Sequence, residues 1–313
     1  MKRLNDTLFI EALKSHSTGA RLGYKAFYSS YLGGVTTEPH HMVVPLDDHM
    51  VHRGDAVFEA VKFVDGHVYA LERHLERLEI SAGNIALALP GTRAERTQMI
   101  LQTIKVSGLR SGLVRLYLAR GPGGFTTNPF ESIGTQTYCA ITTSSSPSAE
   151  VYAKGVRTGV SKVQVKEGLF ARTKTCNYLP NVLMKVEALE RKLDYVISLD
   201  EAGHLAEGST ENFAILDKAG TFVLPKFDRI LRGVTATRAM ELAKALGLKF
   251  ENRTIGLSDV REATGAMMMG TTIDLLPVAS FEDTIFTLMP ESMRQMMSAF
   301  ALDLETGPLR TAI

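Results

Sequence analysis

Residues 142–150, TTSSSPSAE, have nothing to bury. A tract dominated by serine and proline favours an exposed connector over a packed element. At 313 residues the chain is also long for one hydrophobic core. The tract therefore predicts a linker at 144–150, between an N-terminal domain over 1–143 and a C-terminal domain over 151–313. The first twenty or so residues are read as an extension of the first domain, either a docked helix or a partly disordered stretch.

Both halves mix helical and strand rhythm. In YALERHLERLEISAGNIAL, Leu71, Leu75, Leu78, Ala82 and Ile85 recur at helical spacing and mark one buried face. A second helix is predicted over 94–106, stopping near Gly108. GLVRLYLARG alternates as a strand does, with Val114, Leu116 and Leu118 on one face and Arg115 and Tyr117 on the other. TYCAITT, 137–143, reads as a further strand. Beyond the linker, Pro180 suits the first turn of a helix. Val182, Leu183, Val186, Leu189 and Leu193 form its apolar stripe, which a helix normally turns to the core. DYVISLD, ENFAILD, GTFVLP and AMMMG read as strands. A helix is expected from Gly233 to Gly247, and a last one from near Pro290. The fold class expected is mixed α/β (α+β) in two domains.

Composition narrows the partners. Lys and Arg number 35 against 34 Asp and Glu, a net charge of +1. So even a balance provides no general field for nucleic acid or an anionic membrane. Two cysteines, Cys139 and Cys176, without a CxxC pattern, predict neither a disulfide nor a metal site. The N-terminus, MKRLNDTLFIEALKSH, is broken by Asp6, Glu11 and Lys14 and does not read as a secretory signal. A reducing, cytoplasmic setting is expected.

Four features carry possible chemistry. Most lysines are solvated, but Lys174, in ARTKTCNYLPN, has uncharged neighbours from Thr173 to Val182. Such surroundings lower an amine's pKa and suit it to attack a carbonyl. Glu207, before Gly208, is ordinarily a turn carboxylate; opposite a pyridinium it would hold the ring in its cationic form. Gly233, Val234 and Thr235 open a helix, and GTT at 270–272 adds hydroxyl donors. A threonine there is ordinarily a cap, whereas free helix N–H groups also favour an anion. Arg77, in HLERL, is either a solvated arginine among glutamates or a guanidinium aimed at phosphate oxygens.

Together these describe a pyridoxal 5′-phosphate site, and the ordered text HRGDAVFEAVKF, HLERL, KTCNYLPNVLMKVEA, AEGSTENF, RGVTATR and MMGTTIDLLPV resembles the fold-type IV pyridoxal phosphate enzymes. These are the branched-chain aminotransferases, D-amino acid aminotransferases and 4-amino-4-deoxychorismate lyases. The match spreads from about residue 44 to about residue 279. The resemblance implies a small N-terminal α/β domain, a larger cofactor-binding C-terminal domain with a barrel-like core, and a homodimer. It implies that Lys174 is the catalytic lysine forming the internal Schiff base. Glu207 would face the pyridine nitrogen, and Arg77, Val234, Thr235 and Thr271 would bind phosphate. Tyr178 resembles the tyrosine on the ring hydroxyl in branched-chain members, one residue closer to the lysine here; D-amino acid members commonly have leucine.

For the substrate, the resemblance implies an amino acid and a 2-oxo acid in a two-stage amino transfer. Arg115 and Arg53 are candidates for the substrate carboxylate, and Phe58 and Thr272 are further substrate-binding candidates; Phe58 stands where D-specific members often have tyrosine. GDAVFEAVKFVDG and NYLPNVL resemble D-amino acid and plant members, whereas EGSTENF resembles branched-chain members. RGPGGFTTNP lacks the arginine and histidine of the best-known D-amino acid enzymes; Phe125 and Thr127 stand near those places. A D-amino acid aminotransferase of D-alanine type is favoured, with a branched-chain L-aminotransferase second and the lyase third. A plain α/β binding module is the alternative from another class, and a yellow colour bleached by borohydride separates it from the enzymes.

Overall fold

The computed structural model describes residues 1–286 and 289–313, which divide into two compact units: Met1–Ser144 with Leu309–Ile313, and Ser145–Pro308. The chain opens with an Asp6–Ser15 helix, capped by the Asn5 side chain, that buries none of its residues.

The first unit is built on an antiparallel sheet. Its strands run in the order Arg310–Ala312, His67–Tyr69, Ala56–Val64, Gly112–Ala119, Gln136–Thr142, Tyr24–Ser29, Gly34–Thr36. Helices Leu71–Asn84 and Arg93–Ser107 set Leu75, Leu78, Ile100 and Ile104 against Val57, Val61, Val114 and Leu116, all buried. A capping box starts the second helix: Glu95 N donates to Thr92 Oγ1 and Thr92 N to Glu95 Oε2. The last residues, expected in the C-terminal domain, instead add an edge strand here, Arg310 opposite Tyr69 and Ala312 opposite His67. Backbone pairing and the packing of Ile313 on this core hold them.

One carboxylate lies on the helix-facing side of this sheet. Glu59 is fully buried, and Arg77 meets it with Nε and Nη2 at 2.7 Å each. His74 Nδ1 stands 2.7 Å away. Burial raises the carboxyl pKa, but the charge and hydrogen bonds of Arg77, then of His74, outweigh it and bring it to about 2.

The second unit carries a mixed sheet in the order Phe250–Asn252, Phe222–Leu224, Asn212–Leu216, Gly265–Gly270, Asp274–Phe281, Val156–Val160, Tyr195–Ile197. The pairs 222/250, 278/156 and 158/195 are parallel. Phe213, Ile215, Val223, Met268 and Leu276 centre its core. The predicted linker gives way to order at its end. Ser148 caps an Ala149–Lys154 helix, and Tyr152 Oη donates to Ile273 O at 2.8 Å.

The Leu179–Glu190 helix begins where expected but ends before Leu193, and its apolar stripe has the opposite orientation. Val182, Leu183, Val186 and Leu189 are exposed, while Asn181, Met184, Glu187 and Ala188 face inward. Hydrogen bonds set this rotation. Glu187 Oε2 accepts from Ser161 Oγ and Lys162 N at 2.9 Å each, and Asn181 Nδ2 donates to Ser209 O.

The Glu59 cluster makes stability acid-sensitive. Because the folded carboxyl pKa lies below its usual 4.5, the contribution is complete above about pH 4.5 and fades as pH falls toward about 2. At about 1.4 kcal/mol per tenfold change in proton affinity, the loss is on the order of 3 kcal/mol. Urea unfolding followed across this range should show the slope in the wild type and a flatter one in Glu59→Gln.

Candidate active site

Within the second unit, four segments converge on Glu207. The first is the sheet itself, at the start of an interior strand. Ser198 N and Oγ both donate to Glu207 O, at 3.0 and 2.9 Å, and Glu207 bridges to Asn212, which opens the Asn212–Leu216 strand. Next to Asn212 in register is Met269, followed by the turn that carries Thr271 and Thr272. That turn passes Glu211: a Cβ on Gly270 would stand 3.6 Å from Glu211 Cγ.

The second segment is the 231–235 loop. Leu231 N donates to Glu207 Oε2 at 3.1 Å, and Asn212 Nδ2 donates to Leu231 O at 3.0 Å. Gly233 follows, and a Cβ there would lie 2.0 Å from Asn212 Oδ1, so only glycine permits this approach. It leads into the Val234–Ala245 helix, whose N-terminus has no side-chain cap. The first-turn N–H groups of Val234 and Thr235 are therefore available to an anion.

The third and fourth segments bring lysines. Lys174 is only 8% exposed, and its Nζ donates to Tyr178 Oη at 3.0 Å. Lys166 Nζ sits 4.8 Å from the centroid of the same tyrosine ring. Glu207 keeps some accessible surface, yet its carboxyl is enclosed by protein. Burial pushes it up to about 7, opposed by Lys166, the Leu231 N–H and Lys174, and reinforced by Glu211.

Lys174, Tyr178, Glu207, Val234 and Thr235 thus belong to one connected arrangement, with Thr271 and Thr272 in the turn between two neighbouring strands. The other four predicted site residues lie in the first unit. Arg77 is engaged by Glu59. Arg53 is exposed and donates to Phe125 O at 2.6 Å. Phe58 stacks on Tyr117 at 5.8 Å. Arg115 lines a cavity of ≈560 Å³ with Tyr24, Phe27, Met42, Tyr117 and Tyr138.

The Amino-transferase class IV model matches residues 56–281. A chloroplastic D-amino-acid transaminase of Arabidopsis thaliana is 33% identical over 314 residues, covering 96% of this chain and 83% of that protein. This chain is a class IV aminotransferase. It is also 28% identical over 255 residues to a putative branched-chain-amino-acid aminotransferase of Methanocaldococcus jannaschii, covering 82% of this chain and 88% of that one. Its fold matches the branched-chain amino acid aminotransferase of T.th. solved with pyridoxamine 5′-phosphate, with a TM-score of 0.86 at 21% identity, covering 92% and 98% of the two chains.

Class IV aminotransferases use pyridoxal 5′-phosphate, and the residues present fit it. They include a sequestered amine, an enclosed carboxyl that would suit a ring nitrogen, and an uncapped helix N-terminus that would suit a phosphate. Sequence reasoning missed Asn212, Lys166 and the Leu231 N–H. Asn212 left a trace, since it ends the EN pair of EGSTENF; a backbone donor leaves none.

If Gly233 exists to let Asn212 in, Gly233→Ala should weaken pyridoxal phosphate binding about tenfold or more, roughly the 1.4 kcal/mol of a displaced contact. In an Asn212→Ala background, where the obstructing atom is gone, the same change should cost clearly less. Absorbance titrations of the double-mutant cycle measure the difference.

Proposed function

We propose that this aminotransferase acts on D-amino acids, D-alanine type favoured, and returns the amino group to a 2-oxo acid. The observation that carries this reading is the match to a D-amino-acid transaminase over 96% of the chain. The GDAVFEAVKFVDG text supports it. A branched-chain L-amino acid specificity is the second reading, favoured by EGSTENF, by Tyr178 and by the position of Arg115 on its strand.

The proposed roles follow from the geometry. Bound pyridoxal phosphate supplies an electron sink for the charge that develops as the substrate Cα loses its proton. Lys174 Nζ takes that proton and delivers it back, as base and then acid. Tyr178 Oη, 3.0 Å from the amine, keeps it aimed. Glu207 holds a proton on the ring nitrogen from within an enclosed site. The first-turn N–H groups of Val234 and Thr235, and the Thr271 hydroxyl, bind phosphate oxygens. Leu231 N fixes Glu207 in place.

We also infer a homodimer in a cytoplasmic setting. Val182, Leu183, Val186 and Leu189 form an exposed apolar face on one helix, the kind of surface that associates. The free cysteines Cys139 and Cys176 suit a reducing compartment.

Three substrates offered in parallel to the yellow holoenzyme test the specificity: D-alanine, L-leucine and 4-amino-4-deoxychorismate. D-alanine should convert the bound cofactor to its aminated form, read as loss of colour; reaction with L-leucine alone would overturn the first reading. Lys174→Ala should keep the fold by circular dichroism and lose on the order of 10³-fold or more in turnover. For the assembly, Leu183→Asp with Leu189→Asp should shift sedimentation from dimer to monomer.

A further inference from the structure

Two lysines meet at Tyr178, and the proposed reaction employs one. Lys174 holds the hydroxyl at 3.0 Å, and Lys166 covers the ring face at 4.8 Å from its centroid, a favourable place for a cation. The segment bearing Lys166 is fastened beside Glu207. Val165 N donates to Leu199 O at 3.2 Å. On the adjoining residue, Ser198 N donates to Glu207 O at 3.0 Å and Ser198 O accepts from Ala206 N at 2.9 Å. One short stretch, Ser198–Leu199, thus lies between the backbones that carry Lys166 and Glu207.

We propose that Lys166 is a positioning residue for amino transfer: seated on Tyr178 beside Glu207, its ammonium is the standing charge that keeps Glu207 ionised while Lys174 serves as a neutral amine. The inference rests on the roles of Lys174 and Glu207 in the proposed function. Its logic is a conflict between those roles. An amine that takes a proton from carbon must first be uncharged. An enclosed carboxylate needs a positive neighbour to stay ionised. Lys174 cannot meet both demands at once.

Among the described residues, the charged groups with the largest influence on Glu207 are Lys166, Lys174 and Glu211, with the Leu231 N–H as a neutral donor. Glu211 opposes ionisation. It is itself occupied by Thr210 N at 2.9 Å, the Thr210 hydroxyl and Ser209 Oγ at 3.3 Å. Once Lys174 is neutral, Lys166 is the cation left in this group. Glu207 then remains available to pair with a protonated ring nitrogen.

Lys166→Met keeps an aliphatic stem over the ring and removes the charge; Lys166→Arg keeps the charge. In cofactor-free protein labelled with ¹³C at glutamate carboxyls, the resonance lost in Glu207→Gln identifies Glu207. Its titration midpoint should rise by about one unit or more in Lys166→Met and return toward the wild-type value in Lys166→Arg. In the holoenzyme, the acid limb of the kcat/KM profile should move upward in Lys166→Met and be restored in Lys166→Arg. An unmoved midpoint in Lys166→Met overturns the proposal, as does a rise that Lys166→Arg fails to reverse, since shape and not charge would then be responsible. Borohydride treatment of the wild-type holoenzyme separates this from the reading beneath it. A pyridoxyl group on the Lys174 peptide, with an unmoved midpoint, leaves the transaminase standing and removes Lys166 from its machinery. Absence of that group sinks the transaminase roles, and with them any purpose for Lys166 in amino transfer.

Discussion

The site is organised around the Glu207 carboxyl, which is enclosed and which the proposed function requires to bear charge. A carboxylate withdrawn from water loses solvation that a few directed contacts must replace. Here a backbone N–H from Leu231 supplies one such contact and two lysines supply the field. The Leu231 donor ties the carboxyl to the loop that opens the Val234–Ala245 helix, and Asn212 ties that loop back to the start of the strand beside Glu207. The groups read as meeting the ring nitrogen and the phosphate are therefore not independent. A displacement of the 231–233 loop moves the donor to Glu207 and the helix N-terminus together.

Two of the buried or enclosed glutamates, Glu59 and Glu207, make the same point from opposite directions. Glu59 has a guanidinium placed on it with two hydrogen bonds, and its pKa falls to about 2. Glu207 has cations at a distance and one neutral donor, and its pKa rises to about 7. Direct ion pairing locks a carboxylate into one protonation state and suits a structural role. A looser field leaves it near its balance point, where a ligand that brings its own proton or charge decides the state. The opposite shifts of the two carboxyls thus follow from how their counter-charges are delivered, more than from burial alone.

Much of this was legible in the sequence because period and composition carry it. The Leu71, Leu75, Leu78 spacing and the Val114, Leu116, Leu118 alternation identified faces that the structure buries. The uncharged flanks of Lys174 reflected its seclusion. Gly233 marked the start of the Val234–Ala245 helix. The helix over Leu179–Glu190 shows where such reasoning ends. Its apolar period is real, but the period reports amphipathicity and not direction. Direction is set by Glu187 and Asn181, polar residues whose partners at 161, 162 and 209 are distant in sequence. Lys166 and Asn212 were hidden for a related reason. Each contacts a neighbour that the fold, and not the sequence, brings close.

That outward apolar face constrains how the helix can be used. Burying an aliphatic side chain is worth roughly 1.5–3 kcal/mol, so four exposed ones on a single helix forgo a large stabilisation if they stay in water. Polar anchors on the inward side hold the helix in this rotation, since turning it to bury Val182, Leu183, Val186 and Leu189 would break the Glu187 and Asn181 contacts. The same rotation keeps Tyr178, at the N-terminal end of this helix, against Lys174. An apolar face directed outward is the consequence of fixing that tyrosine from within, and a second copy of the chain that covers the face would reinforce the orientation on which the Lys174–Tyr178 contact depends.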